Sequence, residues 1–460
     1  MRALLISTYE LGRQPFGLAS PAAWLKEAGC DVECVDAAKQ ALEDVSLMSA
    51  DLVAFHLQMH TATRLAGPLI ARARRVNRRA RICAYGLYAP LNAEWLRSLG
   101  VDDVLGGEFE GELTAIAREM GTPAGPVSRV TSDALPRLQF LVPDRSGLPP
   151  LARYAKLTMP DGRQRIVGST EASRGCRHLC RHCPVVPIYN GQFRVVQPEV
   201  VLADIAAQVA AGAGHMTFGD PDFFNGPTHA LRIVEALHAA HPCLSYDVTI
   251  KVEHLLRHRD RLSTLAETGC AFVTSAVESL DDQVLLRLDK GHTRADFLEA
   301  AELCRRAGLT LVPTFVAFHP WLTLEDYCDL LDTIAALQLV DHVAPIQLAI
   351  RLLVPDGSRL LDVEDLRRRL NAFDPATLAY SWTHADPRVD QLHRDVTSLV
   401  GTRLASDRRA LFDEISALAH ERAGRPPPLP TPAGDGAAVP YLNEPWYCCA
   451  EPNPEDMRIV

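Results

Sequence analysis

No stretch of the 460 residues approaches the ~18 consecutive apolar side chains that a membrane-spanning helix needs, which argues against an α-helical membrane protein. A surplus of positive charge is also lacking. The net charge of -10 argues against a surface built to hold nucleic acid or another polyanion. The opening Met1-Arg-Ala-Leu-Leu-Ile-Ser7 reads directly as a strand and lacks the pattern of a secretory signal, so a cytoplasmic location is expected. In that compartment the 12 cysteines are expected to be reduced thiols, metal ligands or small buried side chains rather than a disulfide framework. The length accommodates two or three domains with full cores.

What is present alternates strand with helix. Over residues 1–122, strands are predicted at Arg2–Thr8, Asp31–Asp36, Asp51–His56, Arg81–Tyr85 and about Asp103–Gly107. Helices are predicted at Ser20–Ala28, closed by Gly29, and at Thr61–Arg75, Leu91–Leu99 and Glu110–Met120. That order implies a Rossmann-like α/β domain with a parallel sheet, whose ligands would lie beyond the strand carboxyl ends. Residues 123–165 form a proline-rich connector ending in a hairpin, Tyr154–Leu157 with Arg163–Val167, about the turn Pro160-Asp-Gly162. Residues 166–361 alternate again, as a partial (β/α) barrel would, with its last strands expected at Leu309–Phe318 and Pro345–Leu353. A helical region, 362–424, with candidates Val363–Ala372, His393–Val400 and Ser406–Arg422, precedes a proline-rich tether and tail, 425–460.

The chemistry concentrates at Cys176, Cys180 and Cys183, a CxxxCxxC spacing placed just after a predicted barrel strand. Three thiolates so close can hold three irons of a four-iron cluster and leave the fourth open, whereas structural sites are normally closed by four ligands. The alternative is a zinc knuckle completed by His178 or His182. Other candidates sit at later strand ends. Asp220, in the turn Gly219-Asp220-Pro221, could accept hydrogen bonds from an ammonium or could simply shape the turn. Lys251, Glu278, Ser279 and Thr314 follow on successive strands, and Lys290 reads equally as a solvated lysine. Arg351 reads as a carboxylate partner or as an ordinary barrel-wall residue. The solitary Cys30, Cys34, Cys83, Cys243, Cys270, Cys304 and Cys328 are expected to be mostly buried. In the tail, the adjacent Cys448 and Cys449 stand beside Trp446 and Tyr447. Adjacent cysteines seldom close an unstrained disulfide, which suits them to a soft ion or to redox exchange; two packed thiols are the plainer reading.

The motif Arg174-Gly-Cys-Arg-His-Leu-Cys-Arg-His-Cys183 and the strand ends after it resemble the radical S-adenosylmethionine superfamily. The resemblance implies a [4Fe-4S] cluster whose open iron chelates S-adenosylmethionine, and an external electron donor such as flavodoxin or ferredoxin. It also implies that Gly219 and Asp220 stand where relatives bind the methionine amino group, with aspartate in place of the usual glutamate, and that Glu278 or Ser279 lies near the ribose. Residues 55–60, 85–89 and 106–110 resemble strand ends of the cobalamin-binding domain that precedes many such barrels. The DxHxxG motif is absent and no histidine precedes His56, which leaves cobalamin open. Finally, Cys448-Cys-Ala-Glu-Pro452 resembles the tail of the CUAEP/CCAEP radical S-adenosylmethionine proteins, including those of arsinothricin biosynthesis. That likeness implies a small-molecule substrate, arsenite, held by the tail thiols, which receives the 3-amino-3-carboxypropyl group of S-adenosylmethionine. Two other readings stay open: a cobalamin-dependent methylase or other 5′-deoxyadenosyl-radical enzyme, and an iron–sulfur or thiol sensor.

Overall fold

A parallel sheet and a mostly parallel one face each other across one shared space, to which their parallel strands present their carboxyl ends. The computed structural model describes residues 1–120, 130–131, 135–401, 408–426, 428 and 439–443. The first sheet contains β1 (Arg2–Ser7), β2 (Asp31–Asp36), β3 (Leu52–His56), β4 (Arg81–Tyr85), β5 (Asp103–Leu105) and β6 (Val130–Thr131), in the order β2-β1-β3-β4-β5-β6. Every residue of β3 and β4 is buried, as expected of parallel strands covered by helices on both faces. The helix Phe16–Glu27 lies against the helix Phe109–Met120 on one face, and the helix His60–Val76 covers the other with its apolar stripe, leaving Arg72 and Arg75 on its outer side.

The second sheet begins with a hairpin, β7 (Lys156–Thr158) and β8 (Gln164–Thr170), turned at Pro160-Asp-Gly162, where Gly162 takes φ +81°. After the short pair β9 (Ser173–Gly175) and β10 (Phe193–Val195), the sheet continues through β11 (His215–Phe218), β12 (Ser245–Thr249), β13 (Cys270–Glu278) and β14 (Leu311–Phe315). The strands β8, β11, β12, β13 and β14 are parallel neighbours with helices between them, a partial barrel. Local signals set its helices. Thr293 with Asp296, and Thr323 with Asp326, form reciprocal capping boxes at two helix starts, and Pro198 and Pro227 occupy first-turn positions.

Two predicted elements differ. Pro345–Leu348 is a 3-10 turn rather than a sixth strand. Pro345 has no N–H to donate, and the side-chain oxygen of Gln347 takes the Phe315 N–H at 3.2 Å that a neighbouring strand would have taken. Only the bridge between Phe318 and Arg351 continues the ladder. The helix expected over Val363–Ala372 stops at Arg367, and the chain enters a hairpin of β15 (Leu370–Asp374) and β16 (Ala379–Trp382), with Phe373 across from Tyr380. Cys243 is exposed, contrary to its expected burial. A final strand, β17 (Tyr441–Leu442), adds antiparallel to β7.

Candidate active site

The cluster loop leaves β9 at Gly175, whose φ of +77° and close approach to Tyr189 and Gln192 exclude a side chain: a Cβ there would lie 2.3 Å from the Tyr189 ring. Asn225 braces the loop by accepting from the Arg177 N–H (3.1 Å), and Arg181 ties it to the Arg287 carbonyl (2.7 Å). Cys176, Cys180 and Cys183 thereby line one cavity of about 1430 Å³, together with the turn 219–222 and residues of the first domain. Burial, then the nearby Asp222, pushes the Cys176 thiol up to about 11, a setting in which a bound cation is what deprotonates it.

Three thiols on one short loop fit a cluster with an open iron. His182 Nε2 lies 3.0 Å from Glu278 Oε1, which leaves Nδ1 as its one nitrogen without a hydrogen bond. His178 Nε2 lies 3.4 Å from Asp222, whose Oδ2 is also 2.7 Å from His254 Nδ1. Cys176, His178 and Asp222 also come within 4.8 Å of one another, a spacing that could hold a single metal ion. Against burial, which raises it, these two histidines hold Asp222 down at about 2.

Glu278 is in left-handed backbone (φ +71°), uncommon for a non-glycine residue and a form of strain stored at the mouth of the barrel. Its carboxylate is 3.4 Å from Lys290 Nζ as well as 3.0 Å from His182. Burial works against its ionisation, but Lys290 and His182 outweigh it and bring Glu278 to about 2. Lys290 is not solvated: it is 3% exposed, and the charges of Glu278, Cys180 and Cys183 raise its pKa against the effect of burial. Lys251 reaches the same cavity, with Nζ 3.7 Å from Glu253.

The remaining candidates separate. Gly219 and Asp220 line the cavity, but the Asp220 carboxylate accepts from the Ala172 N–H (2.9 Å) and the Ser173 hydroxyl (2.5 Å). It ties β11's end to the strand before the cluster loop, and burial raises it to about 7. Ser279 accepts from the Asp281 N–H and faces a different, smaller cavity. Thr314 lines a second chamber deeper in the barrel. Arg351 is a wall residue: it pairs with Asp390 (2.9 Å), donates to the Trp382 carbonyl and stacks on that ring at 3.5 Å. Cys448 and Cys449 lie outside the described residues.

Sequence reasoning missed the group that joins the two sheets. Arg174, 7% exposed, meets Glu110 (2.6 Å), Glu171 (2.8 Å) and Glu108 (3.3 Å), while Ser20 donates to Glu110. Arg145 adds a second tie, to Asp204, Gln14 and the Ser169 carbonyl. On the first-domain side, His60 is buried against Tyr88, and His56 Nδ1 lies 3.2 Å from Glu10 under Gly17. Neither lines the large cavity, where these residues therefore offer no histidine ligand for a cobalamin; His56 lines a smaller pocket at the first-domain strand ends beside Arg174.

The site defines a class: a partial-barrel enzyme whose three-thiol loop opens beneath a Rossmann-like domain. Residues 170–334 match the family model of the radical SAM superfamily, so this part of the chain carries a radical SAM domain. It is similar to bacteriochlorophyllide d C-8(2)-methyltransferase of Chlorobaculum tepidum, 27% identical over 190 residues (39% of this chain, 41% of the relative). It is also similar to hopanoid C-3 methylase of Methylococcus capsulatus, 25% identical over 153 residues (33% and 29%). The chain thus spans less than half the length of these curated relatives. Among solved structures, the cobalamin-dependent S-adenosylmethionine radical enzyme OxsB, with aqua-cobalamin and S-adenosylmethionine bound, superposes with TM-score 0.68 at 14% identity (92% of this chain, 71% of that one). The methyltransferase TsrM of Kitasatospora setae gives 0.56 at 17% identity (73% and 71%). Among the described residues, no helix is long and apolar enough to cross a membrane.

Proposed function

We propose that the protein reductively cleaves S-adenosylmethionine and transfers its 3-amino-3-carboxypropyl group to trivalent arsenic held by Cys448 and Cys449. Held by Cys176, Cys180 and Cys183, a [4Fe-4S] cluster would supply one electron, drawn from an external flavodoxin or ferredoxin, and an open iron. The sulfur–γ-carbon bond breaks, methylthioadenosine leaves, and the carbon radical bonds to arsenic as one arsenic–sulfur bond breaks. The thiyl left on the tail returns to thiolate with a second electron from the same donor. Around this chemistry the chain's residues hold charge and shape: Lys290, Glu278 and His182 form a buried ion cluster beside two of the thiols, and Lys251 adds a cation at the mouth.

The observation that carries this reading is the direction of β17. It pairs antiparallel to β7, so the chain runs the same way as β8, towards the mouth, and Asn443 stands beside Lys156, level with Ile166. The mouth begins four residues above Ile166, at Thr170, and Cys448 is five residues past Asn443, a reach of at most about 17 Å. Anaerobic incubation of the reduced protein with S-adenosylmethionine, with and without arsenite, followed by mass spectrometry, tests it. Methylthioadenosine and an aminocarboxypropyl arsenical are expected; 5′-deoxyadenosine without methylthioadenosine overturns it. Cys448→Ser with Cys449→Ser should abolish the arsenical and leave cluster absorbance intact. A second reading, methyl transfer, is favoured by the methylase names of the relatives, and methylated product in the same assay would select it.

A further inference from the structure

Beneath the cluster cavity the barrel holds a second, partly open chamber of about 670 Å³, lined on one side by residues 439–442 and Arg408. The two spaces share Arg13 and Thr249 in their walls. Arg13 comes from the loop after β1, and its Nε is buried; among the described residues its guanidinium has neither a hydrogen bond nor an ion pair. Arg13 is only half-buried, but an N–H of its guanidinium held away from water without an acceptor is costly unless something arrives to accept from it.

The facing wall is a ladder of hydroxyls. Thr249 pairs with Thr274 across β12 and β13, and Thr314 follows one step nearer the mouth, opposite Ala276 on β14. All three line the chamber, and among the described residues none of their hydroxyls is hydrogen-bonded. Arg408, over the Tyr441 ring at 4.4 Å and bonded to the Asp341 carbonyl, adds a second cation. The acid on this wall, Asp247, is engaged by His215 (2.9 Å) and Thr217 (2.6 Å). His342 donates its Nδ1–H to the Leu311 carbonyl (2.7 Å) and is kept from charging by burial.

We propose that this chamber binds a small oxyacid or its anion, with Arg13 as the principal donor and Thr249, Thr274 and Thr314 as its hydroxyl contacts, and that it holds the acceptor before transfer. The proposal rests on the transfer reading above only for that last clause. Two arginines stand on its walls, and Arg13 and Thr249 are common to this chamber and the cluster cavity.

The test is binding without S-adenosylmethionine or reductant, in full-length protein carrying Cys448→Ser and Cys449→Ser so that tail thiols cannot trap the probe. Arsenite, phosphate and acetate are titrated separately by calorimetry, distinguishing a metalloid hydroxide, a tetrahedral anion and a carboxylate. At least one is expected to bind saturably at one site. Arg13→Gln should weaken it about tenfold or more, and Thr274→Val by a smaller factor, with cluster absorbance and melting curve confirming that both variants fold. No saturable binding by any probe, or equal binding by the Arg13→Gln protein, overturns the proposal. Loss of methylthioadenosine formation would instead count against the transfer reading and leave this binding result standing.

Discussion

Lys290 is the residue whose burial carries the most consequence. An ammonium 3% exposed, paired to Glu278 and close to Cys180 and Cys183, places fixed positive charge where a cluster gains an electron. Reduction potentials of such clusters respond to local net charge. Lys290→Met should therefore lower the cluster midpoint by an amount on the order of tens of millivolts, measured by redox titration with paramagnetic resonance, and Lys290→Arg should restore most of it; an unchanged midpoint in Lys290→Met refutes the idea. Asp220 gives a pH prediction of definite sign. Burial raises it from 3.8 to about 7 in the fold, so the folded protein binds more protons than the unfolded chain between those values. Its contribution to stability is full below about pH 4 and is lost as pH rises through 7. Asp220→Asn should flatten this by an amount on the order of 1 kcal/mol per pH unit, read from the difference between wild-type and variant denaturation curves at pH 5, 6 and 7.

At the level of elements, local signals were readable and distant pairings were not. The T-x-x-D boxes at Thr293 and Thr323, the Pro160-Asp-Gly162 turn and the apolar runs Leu52–Phe55 and Ile82–Tyr85 in β3 and β4 each act within a few residues, so their spacing predicts the element. The cluster cysteines were legible for the same reason. The sixth strand failed because Gln347, far along the chain, occupies the Phe315 N–H. The Arg174 knot was invisible because Glu110 is 64 residues away, and Lys290 looked solvated because its partner Glu278 is only brought over it by the turn after β13. Removing the arginine leaves three carboxylates in one buried spot. Arg174→Ala should cost about 3–5 kcal/mol, seen as a loss of folded protein in denaturant titration, and Arg174→Lys should recover only part, since a single ammonium cannot reproduce the fork to Glu110.

Across the whole molecule, the two sheets share one reaction space, and the carboxyl-terminal strand closes its side. β17 completes the barrel at β7 with Leu442 packed against Leu157 and Phe272. Among the described residues its pairing is short, Tyr441 and Leu442, yet it walls the second chamber. Because the cluster loop is braced by Asn225, Arg181 and Asp220 rather than by this strand, the two functions should separate. A chain ending at residue 438 is expected to assemble its cluster and to cleave S-adenosylmethionine, while forming less than a tenth of the transfer product, because Cys448 and Cys449 and the wall of the chamber go together. Absorbance near the cluster band, methylthioadenosine yield and product yield, measured on one preparation, check this; equal loss of all three would show that the strand holds up the barrel itself, and full retention of product would remove the tail from the reaction.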